Sequence, residues 1–423
     1  PVQSLLVSIR SHLSSLHQLG YLWARRARTG HWMFPPTDSC RWFWDEVERT
    51  ERAWQPISIS AATDPAYILP TGGTTGAAKA VTLSHTNLVA NAWQQYQWTR
   101  CSFAQEKMLA VLPFFHSYGM SATVMGGAAM GATLVLHHRF NTRQVIGLLE
   151  EHQPTVFHAV PAMLVAMNER FRRRAPSIEG LRWVISGGAP LEEGVGQEFS
   201  HFTGAHVVEG YGLSEASPVT HVGDLFGEAR YGTIGYSLPA TNCRIVDASD
   251  DAPEDDGERS LPDGDVGELV VRGPQVMLGY WNDPQSTKAA IDRGWLHTGD
   301  LAVKSADGTY QIVGRKKDLI ITSGFNVYPC EVEAVLREAE GVLDAAVIGC
   351  PDRERGEIVV AHVVLEPSAA WDETSLREHC ETHLSKHKRP RRYLQCRGDL
   401  PRNFLGKVIR RKLRESTEMP TEV

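Results

Sequence analysis

Thr71-Gly72-Gly73-Thr74-Thr75-Gly76-Ala77-Ala78-Lys79 is a run of small and hydroxylated residues closed by a lysine. Gly72, Gly73 and Gly76 can take positive φ and bring backbone N–H groups close to an anion, while Thr71, Thr74 and Thr75 add hydroxyl donors. That combination suits a polyphosphate. A Walker loop needs a Gly-Lys-Ser/Thr ending, whereas here two alanines separate Gly76 from Lys79 and Ala80 follows. Tyr67-Ile68-Leu69 reads as a strand entering the loop, Ala80-Val81-Thr82-Leu83 as one leaving it, and Ser84 as the cap of a helix. An ordinary Gly/Thr hairpin turn is the competing reading.

Outward from this loop, strand and helix patterns alternate, as in Thr155–Pro161 and Leu181–Pro190, which predicts an α/β fold. With 423 residues the chain exceeds the size at which one core keeps growing, so a large and a small domain are expected. The stretch from Met108 to Leu136 has no charged side chain and is long enough to span a bilayer, but Pro113, His116, Ser117 and several glycines interrupt it. Two buried elements of an α/β core account for it better. Leu5, Leu6, Ile9, Leu13 and Leu16 recur at helical spacing, and five tryptophans follow among arginines. A membrane-surface helix uses Trp and Arg in this way, though tryptophans covering a neighbouring subdomain are the plainer reading.

A formal charge of −7 gives no electrostatic reason to expect nucleic acid, and the basic run from Lys386 to Arg414 is short. Seven cysteines without a Cys-x-x-Cys pair argue against a disulfide framework or a zinc site, so a reducing, cytoplasmic compartment is expected, with peripheral membrane contact as an option. Gly212-Leu213-Ser214-Glu215-Ala216 is one residue from a hydrolase nucleophile elbow, which should open a helix. Pro218 follows too soon for that helix. His116 among aromatics and Asp300 in a tight turn read, taken singly, as structural residues.

Taken together, these segments resemble the adenylate-forming superfamily of acyl-CoA synthetases, luciferases and peptide-synthetase adenylation domains. Six motifs fall in that superfamily's order between Thr71 and Lys407. The Gly/Thr loop, with Lys79, resembles its phosphate-binding loop, although Ala78 stands where proline is usual. Glu209-Gly210-Tyr211-Gly212-Leu213-Ser214-Glu215 resembles the Tyr-Gly-x-Thr-Glu motif. The resemblance implies that Tyr211 stacks on adenine, Ser214 bonds the α-phosphate and Glu215 holds Mg²⁺. Gly188, Ala189 and Pro190 match the adenine-side loop, Asp300 the ribose-gripping aspartate and Arg315 the nucleotide-contacting arginine.

Lys317 matches the hinge, Gly324 borders the implied pantetheine tunnel, and Leu400–Val408 resembles the catalytic-lysine loop carrying Lys407. His116 occupies the place where amino-acid-activating relatives carry an aspartate, so a substrate ammonium would lack a counter-charge. The implied activity is ATP-dependent activation of a carboxylic acid, best matched by a fatty acid, and transfer to coenzyme A with release of AMP and pyrophosphate. An acyl carrier protein as acceptor, or a non-catalytic nucleotide or lipid binder, stays open. The implied architecture is a large layered α/β domain over residues 1–316 and a small mobile α+β domain over 317–423. Relatives have a longer segment before the Gly/Thr loop, so the first part of the large domain is expected to be missing.

Overall fold

The computed structural model describes residues 4–7, 13–29, 40–50, 56–71, 79–248, 260–402 and 406–418. Gly72, Gly73, Thr74, Thr75 and Gly76 lie outside the described residues, as does the middle of the lysine loop at 403–405. The described chain forms two compact units, Pro1–Ile59 and Ser60–Val423.

In the first unit the strand Ser4–Leu6 pairs in parallel with Cys40–Trp42, and helices span Ser15–Thr29 and Phe43–Arg49. The helical spacing expected from Leu5 is thus overridden at Leu5 and Leu6. Leu5 and Leu6 are strand residues opposite Arg41 and Trp42, Ile9 lies outside the described residues, and Leu16 lies in the helix Ser15–Thr29. A distant pairing partner has displaced the local periodicity.

The second unit is built on a seven-stranded sheet in the spatial order Tyr236–Ser237, Val219–Val222, His206–Gly212, Trp183–Gly187, Val156–Ala159, Lys107–Ala110, Thr133–Leu136. From His206–Gly212 to Thr133–Leu136 every pairing is parallel. Trp183–Gly187 and Val156–Ala159 are buried along their whole length, as strands covered on both faces must be. Phe157, Leu164, Met167, Phe171 and Phe199 fill the main core. The uncharged stretch from Met108 resolves into a strand, a helical segment Gly119–Met130 that starts with π-helical turns, and the strand Thr133–Leu136. Among the described residues no helix is long and apolar enough to cross a membrane.

Pro65–Thr71 and Lys79–Ser84 form the expected antiparallel pair, with Thr71 opposite Lys79 and Gly279–Tyr280 on the far side of the second strand. Ser84 caps the helix His85–Thr99 through a reciprocal capping box with Asn87. A five-stranded sheet containing Val266–Arg272, Trp295–Lys304 and Tyr310–Arg315 follows. From Ile320 onward the chain builds another five-stranded sheet with cores of its own. Val347 and Val359 join Val332, Leu336 and Leu376, whereas their neighbours Ala346, Ile348 and Val360 join Leu400 and Leu413. Side chains alternate between the faces of a strand, so this small sheet is covered on both.

Candidate active site

The parallel sheet has a switch point. The chain passes from Lys107–Ala110 to Thr133–Leu136 on one side, then returns to place Val156–Ala159 on the other. Crevices that receive ligands open beyond the carboxyl ends of strands at such points. A cavity of about 210 Å³ lies here, lined by His116, Ser117 and Tyr118 after the first strand and by Val156 and His158 of the third. Gly187, Gly188, Gly210 to Ser214, Arg315 and Lys407 also line it, whereas Ala189 and Pro190 do not.

Tyr211, Asp300 and Arg315, far apart in sequence, meet. The Tyr211 hydroxyl donates to Asp300 Oδ2 at 2.6 Å, and Arg315 Nε lies 2.7 Å from Asp300 Oδ1. Asp300 and Arg315 are directly opposite on antiparallel strands, so sheet register sets their pairing. Burial, reinforced by the Asp300 charge, holds the Tyr211 phenol well above its ordinary range. For Arg315, burial works most strongly against the charge, but Asp300, Tyr211, Asp318 and Glu215 together outweigh it and the pKa is raised. A Cβ on Gly212 would collide with the Pro218 carbonyl, so this crossing of backbones requires glycine.

Ser214 begins a three-residue 3-10 turn, and its Oγ lies 3.0 Å from Ser117 Oγ. Among the described residues no imidazole is bonded to it, and no helix opens there, so the nucleophile-elbow arrangement is not formed. Glu215 Oε1 accepts a 2.9 Å hydrogen bond from the Tyr280 hydroxyl, and the Lys79 ammonium lies 4.8 Å above the Tyr280 ring centre. Tyr280 thereby joins the end of the Gly/Thr loop to the motif carrying Glu215. No group of three or more metal-binding side chains occurs among the described residues. A single hard carboxylate still fits Mg²⁺, which commonly takes one or two protein carboxylates and completes its shell with phosphate and water.

Glu209 is a second residue without a role in the sequence reading. Its carboxylate accepts N–H groups from Leu191 at 3.2 Å and Gly232 at 2.9 Å, tying the loop beyond Gly188 to the strand carrying Tyr211. Burial pushes its pKa up to about 7. His116 Nδ1 accepts the Tyr118 N–H at 3.1 Å, and burial lowers its pKa, so the ring is neutral at pH 7.

Lys407 keeps solvent access, yet the protein around its ammonium, helped by the neighbouring Arg315 charge, pushes its pKa down to about 8. Lys317 lies in the short turn Lys316–Asp318, where burial and then Arg315 lower its pKa. Arg410, three residues beyond Lys407, reaches Glu333 at 2.6 Å and Asp318 at 3.8 Å, linking the lysine loop to that turn. Gly324 does not line the cavity. Ser323 and Gly324 both have positive φ in the two-residue turn of the hairpin Ile320–Val327. Ser323 and Phe325 instead line a second hollow of about 300 Å³ with Arg355, Lys386, Arg389 and Arg391.

The family model for the AMP-binding enzyme matches residues 32–281, and that for the AMP-binding enzyme C-terminal domain matches residues 331–407. A long-chain-fatty-acid–CoA ligase of Bacillus subtilis is 36% identical over 98% of this chain, which spans 72% of that protein. The ligase of the same name from Salmonella typhimurium is 36% identical over 84% of the chain, which spans 62% of its length. ATP-bound MatB from Rhodopseudomonas palustris superposes with a TM-score of 0.82 at 28% identity, over 98% of this chain and 88% of that one. The chain therefore belongs to the AMP-binding enzyme family, in its branch of AMP-forming acid–thiol ligases.

Proposed function

We propose that the chain activates a fatty acid with ATP and passes the acyl group to coenzyme A. One observation carries the reading: Tyr211, Ser214, Arg315 and Lys407 share a cavity with Trp98, Val156, Val222 and Leu225. Groups suited to a charged nucleotide thus adjoin an apolar wall suited to an alkyl chain. The relatives named as long-chain-fatty-acid–CoA ligases favour the same substrate. His116, neutral and without a carboxylate in its place, disfavours an amino acid.

A carboxylate oxygen attacks the α-phosphorus of ATP and pyrophosphate leaves. A thiolate then attacks the carbonyl carbon of the acyl-adenylate and AMP leaves. Mg²⁺ held by Glu215 would neutralise charge on the departing pyrophosphate. Tyr211, Asp300 and Arg315 hold the nucleoside side of the cavity, with Tyr211 presenting its ring to adenine and Asp300 its carboxylate to ribose. Ser214 donates to the α-phosphate, and Lys407 offsets charge between that phosphate and the carboxylate, stabilisation that counts most where charge develops. The basic hollow of Arg355, Lys386, Arg389 and Arg391 beside Ser323 fits a polyanionic acceptor such as coenzyme A.

ATP/pyrophosphate exchange with panels of fatty and amino acids tests the reading. Mg²⁺-dependent exchange with fatty acids is expected. Exchange with an amino acid and with no fatty acid would overturn it. Thioester formation with coenzyme A but not with a carrier protein is expected in a second assay.

A further inference from the structure

His158 lies on the wall of the cavity and is 7% exposed. It shares a strand face with Val156, another wall residue, and has no part in the chemistry assigned above. Its ring meets Tyr118 edge to face, with centroids 5.7 Å apart, and its Nδ1 is 3.3 Å from the Tyr118 hydroxyl oxygen. A phenol has one proton. Tyr118 donates it to the Ile185 carbonyl at 2.9 Å, the shorter of the two contacts. The proton in the contact with His158 must then come from the imidazole Nδ1, and Nε2 is left with a bare lone pair. Nε2 has no partner among the described residues and is open to the cavity that the ring lines. Burial pushes the imidazole down to about 4, so the ring does not become a cationic donor near neutrality.

The nearby polar groups are committed elsewhere. Trp98 Nε1 donates to the Gly223 carbonyl at 3.1 Å, and Thr99 Oγ1 to the Tyr96 carbonyl at 2.8 Å. A plain alkyl chain along this wall would cover the His158 lone pair with methylene groups and leave a buried acceptor unsatisfied, which carries a free-energy penalty. A hydroxyl on the chain would donate to it.

We propose that His158 is a specificity-determining residue that accepts a hydrogen bond from the acyl group, so that the preferred acid carries a hydroxyl along its chain. The inference rests on the ligase reading and names its substrate class more narrowly. The test is pyrophosphate exchange with matched pairs, each a saturated acid and its positional hydroxy isomers. At one position the hydroxy acid should exceed its parent about tenfold or more in kcat/KM. The ratio is read within one protein, so a general loss of activity cancels. In His158→Leu it should fall to near one. His158→Gln, whose amide oxygen extends toward the place of Nε2, should restore part of it. Parent acids that match or exceed every hydroxy isomer in the unsubstituted protein would overturn the inference and leave the ligase reading standing, with only water at Nε2. No exchange with any acid would overturn both.

Discussion

The two sides of the candidate site are built differently. On the sheet side, Tyr211, Asp300 and Arg315 restrain one another, Glu215 is held by Tyr280, and Asp300 is 4% exposed. On the other side, Lys407 keeps solvent access, and Gly324 sits at the tip of a hairpin whose Ser323 and Phe325 line a different hollow. The hydrophobic clusters divide likewise, since among the described residues none combines residues before Ile320 with residues after it. Preorganised groups suit what must be held in one geometry through the reaction. A residue carried on a separate core suits a step in which it is present once and then withdrawn.

The sharpest way to break this contrast is to remove Lys407. Lys407→Ala should lower adenylate formation, measured by pyrophosphate exchange, by about 10²- to 10³-fold, the usual worth of a transition-state donor. Thioester formation from supplied acyl-adenylate should survive far better, and equal loss in both steps would remove the distinction between the two sides.

A smaller effect is expected at the proposed hinge. Proline fixes φ near −65° and restricts the residue before it, yet position 317 lies early in a helical turn, where proline is tolerated. Lys317→Pro should therefore fold, keep exchange activity and lose overall thioester synthesis by about tenfold or more. Thioester synthesis at the parental rate would move the hinge elsewhere.

The smallest effect is one of pH. Lysine is charged below its pKa, so the Lys407 ammonium is present below about pH 8 and lost above it. For exchange, kcat/KM reports the free enzyme and should be about halved at that pH, then fall further as pH rises. Bound phosphates raise the ammonium pKa, so the same limb in kcat should lie at higher pH. A kcat/KM that keeps rising through this range would mean that Lys407 acts without its charge.

What could be read from the sequence was what is local. Two strands around the Gly/Thr loop and the Ser84 cap depend on neighbours in the chain, and both formed as expected. Leu5 and Leu6 misled because their partner strand lies far ahead, at Cys40–Trp42. Tyr280, Glu209 and His158 carried no signal for the same reason. Each takes its meaning from partners such as Glu215, Leu191 and Tyr118, which only the folded chain brings near. Proline after Ser217 was a usable negative signal, since it argued against a helix there and the chain turns into a strand instead.

The cations that depress the Lys407 pKa also bear on encounter. Arg315, Lys317 and Lys407 crowd together and outnumber Asp300 and Asp318 beside them, within a chain of formal charge −7, so a nucleotide should meet a molecule that repels it at a distance and attracts it at the cavity. At physiological ionic strength the Debye length is about 8 Å, which screens the distant repulsion while leaving the cavity's field largely in place. Salt acts on the two in opposite senses: a moderate amount removes the barrier to approach, and a large amount weakens the capture itself. Nucleotide association should therefore be fastest at an intermediate ionic strength, where the net charge is hidden and the local one is not.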